Sequence, residues 1–319
     1  MMRLLEHHAF RAMGTTCGVG VTTTLADLPT AHRAIAAAVA EVSACERALS
    51  RFDAESELSR LNAAGGAWTD AGPRLLGALA AAVDAREATG GRFDPAVLPA
   101  LVAAGYDRSF EELEPRAAAI AFGWRAGAAV EVDHVRARAR IEPGAAVDLG
   151  GIGKGFSADR AVRAMIAAWP SMPGCLVDLG GDVAVWGEPP DWGTWRIAVA
   201  DPRHGGGRLS VLGLSAGGVA TSGRDRRRFG LDGELHHLID PATGEPAVPG
   251  PLAVTVVAPD AASAEAHATA LAITPVAESS RYVAARPHIS ALVVPADGAP
   301  FMAGNLPAGV PAWARDVAS

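Results

Sequence analysis

The order of strands and helices constrains this chain most. Short alternating or apolar segments read as a strand pair within residues 8–24, then as strands at 175–179, 182–187, 195–200, 209–214, 218–221, 236–239 and 252–257. Helical spacing is found at residues 31–49, from Ser56 and Ser59 onward, and at 73–89, 157–169 and 261–271. A hairpin is expected over 129–149, and one or two strands beyond Arg286, including residues 289–294. Most strands follow one another without an intervening helix, which a repeating βαβ array does not do, so an α+β fold is expected. No linker or internal repeat divides the chain. Residues 8–305 read as one unit, with 306–319 as a C-terminal tail.

Charge narrows the partners. The net charge of −7 disfavours nucleic acid, because phosphate binding leaves a basic footprint. Three widely spaced cysteines, Cys17, Cys45 and Cys175, form no CxxC pair or zinc pattern and read as buried thiols of a reducing compartment. The first residues hold no long apolar stretch, and no run is long enough to span a bilayer. The expectation is a cytoplasmic protein with no membrane anchor of its own.

Of the 28 basic residues, a single one, Lys154, is lysine. In a chain that uses arginine wherever a positive charge is wanted, one lysine among four glycines suggests a need for a compact ammonium. It stands in Asp148-Leu149-Gly150-Gly151-Ile152-Gly153-Lys154-Gly155. This is neither a Walker A sequence nor the G-x-G-x-x-G spacing of a dinucleotide fold. It still reads as a strand running through glycines into a helix N-terminus, where amides and the helix dipole can meet an anion. By itself the segment also suits a plain strand–helix turn.

Four other segments carry chemistry. Asp178-Leu179-Gly180-Gly181-Asp182 nearly repeats the first and reads as a strand with a glycine bulge. Thr221-Ser222-Gly223 sets two hydroxyls beside Arg224, Arg226, Arg227 and Arg228, which suits a pyrophosphate, although such a run is more often solvated surface. His237 precedes the turn Asp240-Pro241-Ala242-Thr243-Gly244 and could act as a general base, though a lone histidine is more often structural. Glu265 and Thr269 lie one helical turn apart and could share a hard cation such as Mg²⁺.

Taken in order, these segments resemble the ApbE family of FAD:protein FMN transferases. The resemblance also includes Ala12-Met13-Gly14-Thr15-Thr16, Ser56-Glu57-Leu58-Ser59-Arg60-Leu61-Asn62, Gly91-Arg92-Phe93-Asp94-Pro95 and Ala268-Thr269-Ala270-Leu271, and spans roughly residues 10–275. It implies a two-lobed α+β fold with mixed or antiparallel sheets, flanking helices and an FAD cleft between the lobes. It implies Mg²⁺-dependent transfer of FMN from FAD to a Ser/Thr hydroxyl of an acceptor protein, with release of AMP.

By motif position, the resemblance makes Met13, Phe52, Phe93, Asp94, Asp148, Lys154, Thr221, Ser222 and Ile239 contacts of FAD. It makes the Gly151 carbonyl, Glu265 and Thr269 the Mg²⁺ ligands, and His237 with Lys154 the catalytic pair. The implied acceptor carries Asp-Gly-x-(Ser/Thr)-Gly-Ala-(Ser/Thr) or a close variant. Two positions depart from the family pattern: Glu265 replaces the usual Asp, and Phe52 stands where Tyr is frequent. The competing readings are an FAD pyrophosphatase yielding FMN and AMP, and a non-catalytic FAD-binding protein.

Overall fold

The computed structural model describes residues 2–108, 125–190, 193–203, 207–224, 228–229, 235–236, 238–247 and 250–304. It opens with the hairpin β1 (Leu4–Ala12) and β2 (Thr15–Thr23). The turn residues Met13 and Gly14 both have positive φ, 52° and 67°, as a right-twisting two-residue hairpin turn requires. Glycine takes that conformation freely; a side chain there costs about 1–2 kcal/mol.

Next come α1 (Leu28–Leu49), α2 (Glu57–Ala63), β3 (Thr69–Asp70), α3 (Pro73–Ala88) and α4 (Leu98–Ala104). Ser56 caps α2 by accepting from the Ser59 amide at 2.9 Å, as the Ser-x-x-Ser spacing suggests. The hairpin β4 (Val130–Asp133) and β5 (Arg138–Ile141) joins β3 in a small three-stranded sheet. Then follow α5 (Gly153–Ala168), β6 (Gly174–Leu179), β7 (Asp182–Gly187), β8 (Trp195–Ala200), β9 (Arg208–Leu214) and β10 (Ala216–Gly223). The two-residue strands β11 (Arg228–Phe229), β12 (Leu235–His236), β13 (Ile239–Asp240) and β14 (Glu245–Pro246) lead to β15 (Ala253–Ala258), α6 (Ala261–Ala272), α7 (Val276–Ala284), β16 (Ser290–Val294) and β17 (Phe301–Ala303).

The main sheet has eight strands in the order β1-β2-β6-β7-β10-β15-β16-β17, every pair antiparallel. The α+β expectation therefore holds. Alternation along the strands sends one set of side chains to each face. On the helical face, Val19, Val21 and Val177 meet Ile35 and Val42 of α1 and Met165 of α5, while Val254 and Val256 meet Leu271 of α6 and Leu75 and Leu79 of α3. On the opposite face, Val183, Val219, Val257 and Leu292 are covered by Trp195, Ile197, Val199 and Leu212 of the β8–β9 hairpin.

Helix α6 is buried on nearly all sides, which its run of alanines permits. Its N-terminus nests against two glycines. A Cβ on Gly155 would lie 2.2 Å from the Ala261 carbonyl oxygen, and one on Gly218 would lie 2.3 Å from the Ala261 Cα.

Several expectations need correction. Helix α5 starts at Gly153, four residues before the expected 157, so Lys154 is helical. Residues 145–149 ahead of the glycines form no strand. Gly180-Gly181 is a two-residue hairpin turn between β6 and β7, with φ of 72° and 99°, rather than a bulge. The expected strand at 236–239 is two separate strands, β12 and β13, in different hairpins. Helices α4 and α7 lie outside the expected helices, although the apolar residues of α7 fall on one face.

Candidate active site

Both hairpin tips, Met13-Gly14 and Gly180-Gly181, lie at one end of the sheet, since β2 pairs β6 with Cys17 opposite Leu179. They touch: a Cβ on Gly180 would fall 2.5 Å from Thr15 Oγ1. The Met13 amide donates to the Glu46 carboxylate of α1, which fixes the first tip. The glycine segment arrives at the same end from the helical side.

That segment has no strand partner, so its backbone is held by other means. Asn62 supplies both halves of a ladder: its Nδ2 donates to the Val147 carbonyl at 2.9 Å, and its Oδ1 accepts from the Val147 amide at 2.7 Å. The Asp148 amide donates to the Pro95 carbonyl at 2.8 Å. The Asp148 side chain is nearly buried and bound on both oxygens. Oδ1 accepts from the Gly150 amide at 2.8 Å, and Oδ2 pairs with Arg51 Nε at 2.6 Å.

Lys154 occupies the first turn of α5, where the helix dipole disfavours a cation. Two carboxylates reverse that preference. Its Nζ donates to Asp182 Oδ2 at the foot of β7 and to Glu265 Oε1 of α6 at 2.6 Å. The Gly155 amide donates to Glu265 Oε2 at 2.8 Å. Burial alone would lower the Lys154 pKa, but the charges of Asp182 and Glu265 outweigh it and hold the ammonium well above its ordinary value. Burial raises the Glu265 pKa, with Asp182 pushing the same way and Lys154 opposing. The compact ammonium inferred from the lone lysine thus ties three elements together, and the second of its two partners, Asp182, comes from the Leu-Gly-Gly-Asp repeat.

The three residues expected to hold a metal converge here. Thr269 Oγ1 lies 3.1 Å from where a Gly151 Cβ would be, and Glu265 is one turn earlier on the same helix. Phe93 closes the other side of Gly151, its Cε2 3.2 Å from the same point. No group of three or more His, Cys, Asp or Glu able to hold a metal occurs among the described residues. A cation at this place would therefore rely on one carboxylate, a hydroxyl and a carbonyl. This all-oxygen set suits a hard ion, and each Glu265 oxygen keeps acceptor capacity beyond its present bond.

The remaining expected contacts are placed unevenly. Phe52 is half exposed beside Asp148, its ring 6.2 Å from that of Tyr106. Ile239 is buried in a small cluster with Tyr106, Leu101 and Ala104, next to that pair. Asp94 is almost fully buried and bonds to its own surroundings: the Ala96 and Gly127 amides at 2.9 and 2.7 Å, and Arg86 Nε at 3.3 Å. Phe93 is a core wall rather than an exposed ring.

Thr221 and Ser222 point to opposite faces of β10. Thr221, in register with Val219, bonds Thr255 across the strand pair at 2.9 Å and lines a cavity of about 330 Å³ under β8–β9. Arg224 donates to the Gly250 and Pro251 carbonyls at 2.6 and 3.2 Å, so it braces a neighbouring loop. His237 lies outside the described residues, as do Arg226 and Arg227. Residues that sequence reasoning passed over include Arg51, Asn62, Glu46 and Asp159. Of these, only Asn62 carries a signal, standing in a matched motif in a chain with two asparagines.

An all-antiparallel eight-stranded sheet carries at one end a helix start braced by Lys154 between Asp182 and Glu265. The ApbE family profile matches residues 13–293, and this chain belongs to that family. It is 32% identical over 307 residues to the FAD:protein FMN transferase of Treponema pallidum (strain Nichols), covering 88% of this chain and 82% of the relative. The Haemophilus influenzae (strain Rd) protein of that name is 28% identical over 251 residues, covering 75% of this chain and 71% of the relative. The crystal structure of the ApbE protein from Thermotoga maritima superposes with a TM-score of 0.82 at 28% identity, covering 94% of this chain and 97% of that one. No helix among the described residues is long and apolar enough to cross a membrane.

Proposed function

We propose that this chain transfers FMN from FAD to a Ser or Thr hydroxyl of an acceptor protein and releases AMP. The observation that supports this most is the meeting of Gly151, Thr269 and Glu265 with Lys154 at the start of α5, in a chain of the ApbE family. In the reaction the acceptor oxygen bonds to the FMN phosphorus. The bridging P–O bond breaks, and AMP leaves with its electron pair. The hydroxyl proton goes to a base, for which His237 is the candidate.

The Gly151 carbonyl, Glu265 and Thr269 would hold Mg²⁺. When bound, the ion would neutralise charge developing on the pyrophosphate. The positive dipole end of α5 would favour the same charge, while its Gly153 and Gly155 amides are taken up by the Leu149 carbonyl and Glu265. Lys154 holds Glu265 and Asp182 in place rather than presenting a free ammonium, so its part is to fix the carboxylate. Asp148 and Phe52 bind and orient the nucleotide.

The test is incubation with FAD and Mg²⁺, with and without a peptide carrying Asp-Gly-x-(Ser/Thr)-Gly-Ala-(Ser/Thr). Covalent flavin on the peptide, matched by AMP, lost in EDTA and lost in Thr269→Ala, is the expected outcome. FMN and AMP produced without the peptide would replace the proposal by a pyrophosphatase. FAD bound and intact in both tubes would replace it by a binding protein.

A further inference from the structure

Beside the glycine segment lies a second cation with an unusual surrounding. The Arg51 side chain is only 6% exposed, although it follows α1 in a surface loop. Its Nε pairs with Asp148 at 2.6 Å, and an Nη2 hydrogen goes to the Tyr106 carbonyl at 3.0 Å. Its guanidinium carbon lies 4.2 Å from the Phe52 ring centre and 4.6 Å from that of Tyr106. One flat cation thus meets two rings and orients a carboxylate on the glycine segment.

Phe52 is 49% exposed. An aromatic ring left that open in a loop gains little from burial, yet this one is held by a cation–π contact to a nearly buried arginine. The guanidinium engages the ring on the protein side, and the exposed area remains for something else. The same guanidinium ties Asp148, whose other oxygen accepts from Gly150. Lysine could not do this: a compact ammonium cannot stack on rings and also donate through a planar fork.

We propose that Arg51 is a positioning residue for FAD, locking the Phe52 ring and the Asp148 carboxylate into one preformed platform for a flat ring and its polar edge. This rests on the flavin-nucleotide reading given above. Preforming two contacts with one rigid group lowers the ordering cost of binding, so its loss appears in affinity.

The experiment is FAD titration followed by flavin fluorescence, together with steady-state transfer kinetics, on wild type, Arg51→Lys and Phe52→Leu. Arg51→Lys should weaken FAD binding by roughly tenfold or more, with KM rising far more than kcat falls. Phe52→Leu should reproduce that shift, and its exposed position keeps the fold intact if Arg51→Lys does not fold. The double variant should lose little beyond the larger single change, because both act on one platform. Wild-type affinity in either single variant, or a falling kcat with unchanged KM, overturns the proposal. A wild-type protein that binds no FAD would instead overturn the functional reading itself.

Discussion

Two ion-pair assemblies flank Gly150-Gly151, and they are built from different cations for different reasons. On the near side, Arg51 is held against two rings and reaches one carboxylate, Asp148. On the far side, Lys154 sits between two carboxylates, Asp182 and Glu265, with no ring stacked on it among the described residues. The planar cation organises a surface that faces outward; the compact one neutralises charge facing inward. A chain that prefers arginine almost everywhere keeps lysine where one atom donates to two carboxylates from different elements.

The far side should fail harder. Lys154→Met leaves two nearly buried carboxylates without a cation, and breaking such a pair costs about 3–5 kcal/mol. Denaturant unfolding measures it; an unchanged midpoint would mean that water already screens the triad. Lys154→Arg should recover only part of the loss, because a guanidinium cannot take the place of a point charge among three elements.

The far side also depends on Asp159, which caps α6 by accepting from the Ala261 and Ala262 amides at 2.9 and 3.0 Å. Burial pushes this carboxyl up to about 6, although those amides pull the other way. Between about pH 4 and 6 the folded chain keeps a proton that the unfolded chain has released, so the contribution turns unfavourable as pH rises through that window. Asp159→Asn is neutral throughout. Relative to wild type it should therefore gain roughly 2–3 kcal/mol between pH 4 and 7, over a constant loss from the weakened cap. Parallel pH curves for the two proteins would contradict this.

On the near side, Asn62→Ala removes both bonds to Val147 and should cost about 2 kcal/mol. A larger fall in FAD affinity than in stability would show that the glycine segment, not the core, takes the damage. The smallest stability effect belongs to Thr269→Ala, under about 1 kcal/mol, while Mg²⁺-dependent transfer is lost. A large drop in melting temperature would make Thr269 a packing residue.

Much of this was legible in the sequence. The α+β class could be read because strands followed one another without helices, and α1, α3 and α6 showed themselves by spacing or by clear stops. Gly151, Glu265 and Thr269 could be grouped through the resemblance to the ApbE family, since the Glu265–Thr269 spacing alone is a common helical pattern; the fold then sets Thr269 against Gly151. The start of α5 was not legible: glycines at its first turn look like loop, and a lysine there opposes the dipole until Asp182 and Glu265 are known. Asn62 standing in for a strand, and Arg51 against two rings, are tertiary facts with no periodic trace. Likewise, the opposite facing of Thr221 and Ser222 follows from the register of β10, which a motif does not contain.

The nesting of α6 has a dynamic consequence. Its first turn is clasped by Asp159 and Asp260, and the backbone fits into spaces that Gly155 and Gly218 leave by lacking a side chain. Nothing there can pivot without separating α5 from β10, so the amides of Ala261 and Ala262 should exchange hydrogen only when the whole protein opens. The amide of Val147, tied to one asparagine side chain, should exchange through a local opening instead. Glu265 and Thr269 would then form the still frame of the cleft, with adjustment to a bound nucleotide falling to the Asp148 side.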